Sequence, residues 1–137
     1  MATFKLEVVT PLKKVLDRDA EMVIMRTIEG DMGVMADHAP FVAELAVGEM
    51  KIKSANGEEA YFVSGGFLEI SKEKTMILAD EAIDVKEIDV ERAKREAEIA
   101  KETLVKLKED KDIAVTQKSL QEALTKVRIA EQYMHHL

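Results

Sequence analysis

Few side chains in this chain have the types and spacing to do chemistry. Glu29, Asp31 and Asp37 lie close to His38, and carboxylates beside an imidazole suit metal ligation or acid–base work. The same segment holds Gly30 and Gly33, and its more ordinary meaning is an acidic surface loop shaped by those glycines. Asp31-Met32-Gly33 lacks the alternating oxygen ligands of a calcium loop. His135 and His136 are adjacent imidazoles of the kind that are normally solvated. Ser64-Gly65-Gly66 fits neither a G-x-S-x-G elbow nor a Walker loop, and reads as a turn between strands. With no cysteine, there is no disulfide, thiolate metal site or cysteine nucleophile, a composition that fits a reducing compartment. Three histidines and no usable triad point away from an independent enzyme, and no metal is expected.

Length and composition say what must position these residues. The 137 residues amount to about one domain's worth of chain, and the 47% hydrophobic content supports a packed core. No apolar run approaches the roughly 20 residues of a membrane span. Residues 1 to 7 show no basic segment leading into an apolar stretch, so an ordinary secretory signal is not expected. The net charge is −7, and residues 1–86 carry most of it, with 10 basic against 16 acidic side chains. Such a half is a poor partner for nucleic acid, which needs a basic footprint.

All 6 glycines and both prolines lie at or before Gly66. In that part Phe4, Leu6 and Val8 alternate with polar or outward positions, as on a half-buried strand, and Pro11 stops the pattern. Met22–Met25, Met50–Ile52, Tyr61–Val63, Phe67–Ile70 and Thr75–Leu78 are further short strand candidates. Asn56-Gly57 predicts a hairpin with positive φ at both residues. Met22, Met25, Met32, Met35, Met50 and Met76 are expected to fill the core of the strand part. Many short strands with turns between them indicate a sandwich or barrel.

Beyond Ile88 the pattern changes period. Asp89 is placed to cap a helix whose apolar face runs Ala93, Ala97, Ala100, Leu104 and Leu107. The charged run Lys108–Asp112 predicts a turn, and Leu120, Ala123, Leu124, Val127, Ala130 and Met134 predict a second face. The expected fold is α+β: an N-terminal antiparallel β-sandwich over residues 1–85, then a C-terminal two-helix antiparallel hairpin over residues 86–137. Alanine stripes bury less area than leucine stripes, so the hairpin is held less tightly. It is either permanently docked or able to detach, straighten and find another partner.

These residues form an ordered set. Val8-Val9-Thr10-Pro11 is followed by Glu29-Gly30-Asp31-Met32-Gly33-Val34-Met35 and His38-Ala39-Pro40. Val63-Ser64-Gly65-Gly66-Phe67-Leu68-Glu69, Ile88-Asp89-Val90-Glu91-Arg92-Ala93 and Val127-Arg128-Ile129-Ala130-Glu131 then follow. In this order and spacing they closely resemble the epsilon-subunit family of bacterial F-type ATP synthases, over essentially the whole chain. The resemblance implies a non-catalytic central-stalk subunit with no cofactor, bound to the gamma subunit and resting on the ring of c subunits. It implies coupling of ion-driven rotation to ATP synthesis, and a hairpin that extends toward the alpha/beta catalytic head to restrain hydrolysis. It also implies peripheral attachment, through the complex, at the cytoplasmic face of the bacterial cell membrane.

Carried over residue by residue, Glu29, Gly30, Asp31 and His38 match the ring-facing edge. Lys94, Arg95, Lys118, Lys126 and Arg128 are candidates to meet acidic segments of the head, their ordinary alternative being a solvated helix face. Ile88, Asp89, Arg92 and Ala93 match the first half of the regulatory ATP motif found in some members. Glu122 and Lys126 stand where the strongest binders carry arginine, and Ile83 where they carry glutamate. Glu122 repels phosphate and Lys126 lacks the bidentate fork of arginine, so weak or no ATP binding is expected. The competing reading is a stand-alone nucleotide-sensing module.

Overall fold

The computed structural model describes residues 2–135. They form two compact units, one ending at Asp84 and the other beginning at Val85.

The first unit contains eight strands: β1 (Phe4–Val9), β2 (Lys14–Ala20), β3 (Met22–Thr27), β4 (Gly30–Met35), β5 (Phe41–Glu44), β6 (Gly48–Ser54), β7 (Gly57–Ile70) and β8 (Thr75–Asp84). They pair in the order β2-β1-β8-β7-β6-β3-β4, with β5 also on β7. Every pairing is antiparallel except β1 with β8, which is parallel, so the sheet is mixed.

Two glycines make this one path into a sandwich. Gly65 and Gly66 have φ of 64° and 103°, in the middle of β7. Before them β7 pairs with β6; after them it pairs with β5, and β8 accompanies it through both halves. The strand therefore bends from one layer into the other. The turn expected at Ser64–Gly66 is corrected to a bend inside a single 14-residue strand, because β8 continues the ladder past it. The core lies between the layers, from Leu6, Val8, Val23, Met25, Val34, Met50, Ile52, Leu68 and Ile77, all essentially without solvent contact. Each such side chain contributes about 1.5–3 kcal/mol by leaving water. Met25 and Met50 fill the core as expected, whereas Met35 is exposed.

Both tight hairpins turn on glycine. In β6–β7, Ser54 pairs with Gly57, so the connecting residues are Ala55 and Asn56. Only Gly57 has positive φ (113°); the expected register is one residue off, since glycine alone takes this conformation without cost. In β3–β4, Thr27 pairs with Gly30 across Ile28 and Glu29, and Gly30 has φ 119°. The segment expected as an acidic loop is thus half hairpin tip and half strand. The last strand also runs further than Thr75–Leu78, to Asp84.

The second unit begins with a 3₁₀ turn, Val85–Glu87, followed by α1 (Val90–Lys106) and α2 (Asp110–His135). Asp89 caps α1, its carboxylate accepting from Arg92 N at 3.0 Å. The link is only residues 107–109. Asp110, Lys111 and Asp112 belong to the first turn of α2, where carboxylates favour the helix dipole, rather than to the expected turn. Ala93, Ala97 and Ala100 of α1 are buried, with Ala123, Thr125, Ile129 and Ala130 of α2. The second face is rotated from expectation. Ile129 is fully buried, while Leu124 and Met134 are exposed, since neighbouring helix positions differ by about 100°.

Candidate functional site

The β3–β4 hairpin presents Glu29, Gly30 and Asp31 together. Thr27 fixes the tip: its hydroxyl donates to Gly30 O at 2.7 Å and accepts from Glu29 N at 3.2 Å. Ile28 N donates to Glu44 O and Ala46 N to Arg26 O, both at 3.0 Å, which sews the hairpin to the end of β5. Arg26 Nη1 lies 3.3 Å from Asp31 Oδ1, an exposed pair that water screens. Between tip and strand is a cleft of about 450 Å³, lined by residues 27–32 and 41–44. Its walls include the apolar Ile28 and Val42, 63% and 66% exposed, beside the carboxylates of Glu29, Asp31 and Glu44. The edge therefore sets exposed apolar side chains among carboxylates. Sequence reasoning missed Ile28 at the hairpin tip, and it missed Phe41, Val42 and Glu44 because β5 is an edge strand of only four residues.

His38 does not join that cleft. It lines a separate one of about 650 Å³, with Thr3–Lys5, Asp37 and residues 70–75. Its Nδ1 is 2.7 Å from Ala39 O, and its ring meets Phe41 edge-on at 6.3 Å. Phe41, which also lines the hairpin cleft, is the link between the two places. Asp37 has φ 63°, and the carboxylates and imidazole around it form no metal-competent group among the described residues. His135 ends α2; His136 lies outside the described residues.

On the hairpin unit, the four residues of the nucleotide motif have structural duties. Asp89 caps the helix, Arg92 Nε donates to Glu96 Oε1 at 2.9 Å, Ala93 is buried in the helix interface and Ile88 is half-buried. Among the candidate head contacts, Lys94 lies 3.8 Å from Glu131 and 3.9 Å from Glu91. Arg95 and Lys118 are exposed, and Lys126 and Glu122 half-buried. Arg128 rims a shallow groove of about 440 Å³ with Leu104, Gln117, Leu120, Gln121, Leu124 and Thr125.

A polar cluster that sequence reasoning did not find joins the sandwich layers. Arg18 of β2 is ion-paired with Glu59 of β7, whose other oxygen accepts from Tyr61 OH at 3.3 Å. Burial, then the charges of Glu59 and Asp84, push the Tyr61 phenol up to about 12. The hydrogen bond to Glu59 raises the Arg18 guanidinium further. These groups are scattered in sequence and meet only through the fold.

The chain thus combines a bent β-sandwich, with an edge of exposed acidic and apolar residues, and a hairpin of two long helices. Residues 3–85 match the family described as ATP synthase, Delta/Epsilon chain, beta-sandwich domain. Residues 86–131 match the ATP synthase, Delta/Epsilon chain, long alpha-helix domain. The ATP synthase epsilon chain of Alkalihalophilus pseudofirmus is 44% identical over 110 residues, covering 80% of this chain and 83% of that one. That of Staphylococcus aureus is 40% identical over 132 residues, covering 96% and 98%. Among solved structures, a chain of the Euglena gracilis mitochondrial ATP synthase (OSCP/F1/c-ring, rotational state 1) superposes with a TM-score of 0.81 at 26% identity, covering 95% of this chain and 82% of that one. One from the Tetrahymena thermophila mitochondrial ATP synthase central stalk and c-ring shares the fold, with a TM-score of 0.60 at 15% identity and 96% coverage of both. The chain belongs to the ATP synthase delta/epsilon family, as an epsilon subunit, a non-catalytic part of the central stalk.

Proposed function

We propose that the two units divide the work of a rotary coupling subunit. The sandwich docks on the gamma subunit and the ring of c subunits, with Glu29, Gly30 and Asp31 at the ring and His38 beside them through Phe41. The hairpin regulates, leaving its own packing to meet acidic segments of the alpha/beta head and restrain ATP hydrolysis. The similarity to chains solved within F1/c-ring and central-stalk assemblies supports the ring and head as partners. The complex holds the subunit peripherally, at the cytoplasmic face of a bacterial cell membrane. No described helix is long and apolar enough to cross one.

The observation that carries the regulatory reading is the helix interface. Five of its buried residues are alanines (Ala93, Ala97, Ala100, Ala123 and Ala130). Little apolar area is lost when such helices part. A second partner of modest affinity suffices to shift such an equilibrium. The test is truncation after Ile88 in the reconstituted complex. Hydrolysis should rise while synthesis persists; unchanged hydrolysis under every nucleotide and driving-force condition removes the regulatory role.

ATP is at most a weak ligand of this subunit. Asp89 and Arg92 are engaged in capping and local pairing, and Glu122 and Lys126 replace the arginines of strong binders. Titrating millimolar ATP into the full chain should give no saturable heat; micromolar affinity would favour the nucleotide-sensing reading instead.

A further inference from the structure

We propose that Lys94 is the closing latch of the hairpin: its ammonium ties α1 to the far end of α2 through Glu131, and an acidic partner surface opens the hairpin by taking that ammonium over. This rests on the partner-exchange reading above and names one pair that contributes to its control.

Lys94 Nζ lies 3.8 Å from Glu131 Oε2. Lys94 follows the buried Ala93, and Glu131 follows the buried Ala130, so the pair closes over the rim of the alanine interface. Other ion pairs of the hairpin, Arg92–Glu96 and Lys101–Glu98, lie within α1 and survive separation of the helices. Lys94–Glu131 spans them and does not. A second carboxylate lowers the barrier to release: Glu91 Oε1 is 3.9 Å from the same ammonium. When Glu131 departs, Lys94 keeps a counter-charge on its own helix. Both partners are close to half exposed, so salt and competing carboxylates reach them. Lys94 already divides its ammonium between Glu131 and Glu91, so a partner carboxylate competes with Glu131 for its share of that charge.

The test uses the full chain, which has no cysteine of its own. Spin labels on Glu102→Cys and Ser119→Cys, both at exposed positions, report the interhelix distance distribution. Lys94→Glu should lower the closed-to-open ratio about two- to five-fold, the range of exposed ion pairs. Glu131→Lys should do the same, and the charge-swapped double variant should restore the ratio. The neutral Lys94→Met, which keeps most of the stem, should abolish the salt dependence seen in the parent. Helicity by circular dichroism confirms that each variant is folded. Failure of the swap to restore the ratio, or one closed distance in parent and variants alike, overturns the latch. If truncation after Ile88 still raises hydrolysis, partner exchange stands without it; if truncation has no effect, that reading falls separately.

Discussion

Gly66 lies against the backbone of Leu78 in the place a side chain would occupy: a Cβ built there overlaps the Leu78 carbonyl oxygen and comes within 2.8 Å of Ala79 Cα. Both atoms are backbone of the paired strand β8 and cannot swing aside. Gly66 also has φ 103°. Gly66→Ala should therefore cost at least about 2–3 kcal/mol, from clash and backbone strain together. Gly30→Ala, with φ 119° but open space around it, should cost only about 1 kcal/mol. Urea unfolding of the two variants measures the difference; equal costs would mean β7 and β8 are not locked at this bend.

That bend shows where sequence reading reached and where it stopped. Gly65-Gly66 announced unusual backbone, but a pair of glycines reads alike as a turn between strands and a bend within one. The choice is made by β8, paired on both sides of it. Strands with an alternating buried face, such as β1 and β6, were legible. β2, β4 and β5 were not, because edge strands bury less and carry charges such as Asp17, Arg18 and Asp31. At the candidate docking edge the acidic residues were legible by type. Their apolar companions, Ile28 and Val42, were not, since exposure of an apolar side chain is a property of the fold.

The helix face supplies a second test of this kind. Ile129 is fully buried and Leu124 is 44% exposed. Ile129→Ala should cost about 2–4 kcal/mol, whereas Leu124→Ala should stay within about 0.5 kcal/mol. The measurement is thermal melting of the helical signal of the full chain. The reverse order would restore the face expected from sequence alone.

At Asp89, charge and cap can be separated. Asparagine caps helices about as well as aspartate, so Asp89→Asn should leave stability nearly unchanged, while Asp89→Ala should lose about 1 kcal/mol. A nucleotide-binding role needing the carboxylate would respond to both substitutions. Parallel melting and ATP titration calorimetry on the two variants distinguish the roles.

The docking edge should behave as a charged surface with an apolar centre. Reversing Glu29 and Asp31 together to lysine should lower coupled ATP synthesis in the reconstituted complex, and more so at low ionic strength, where their field is least screened. Val42→Ser should weaken assembly with little dependence on salt, because its contribution is apolar area. Synthesis rates and complex recovery at low and high salt are the readout. A charge reversal without effect would remove Glu29 and Asp31 from the ring contact.

Tyr61 should make the sandwich sensitive to alkali. Its phenol ionises at about 12 in the folded chain, against about 10 when unfolded, mainly because burial disfavours the phenolate and next because Glu59 adds negative charge. A folded-state value raised above the unfolded one gives stability that is fully present below pH 10. It is lost as the pH rises through 12, since the unfolded chain releases the proton first. Tyr61→Phe removes this dependence and, at neutral pH, only the 3.3 Å bond to Glu59, worth about 0.5–1.5 kcal/mol. The parent's stability advantage over Tyr61→Phe should therefore shrink and then reverse between pH 10 and 12. Urea midpoints at pH 8, 10, 11 and 12 follow it, and a difference that stays constant with pH would show that the phenol is not held neutral by the cluster.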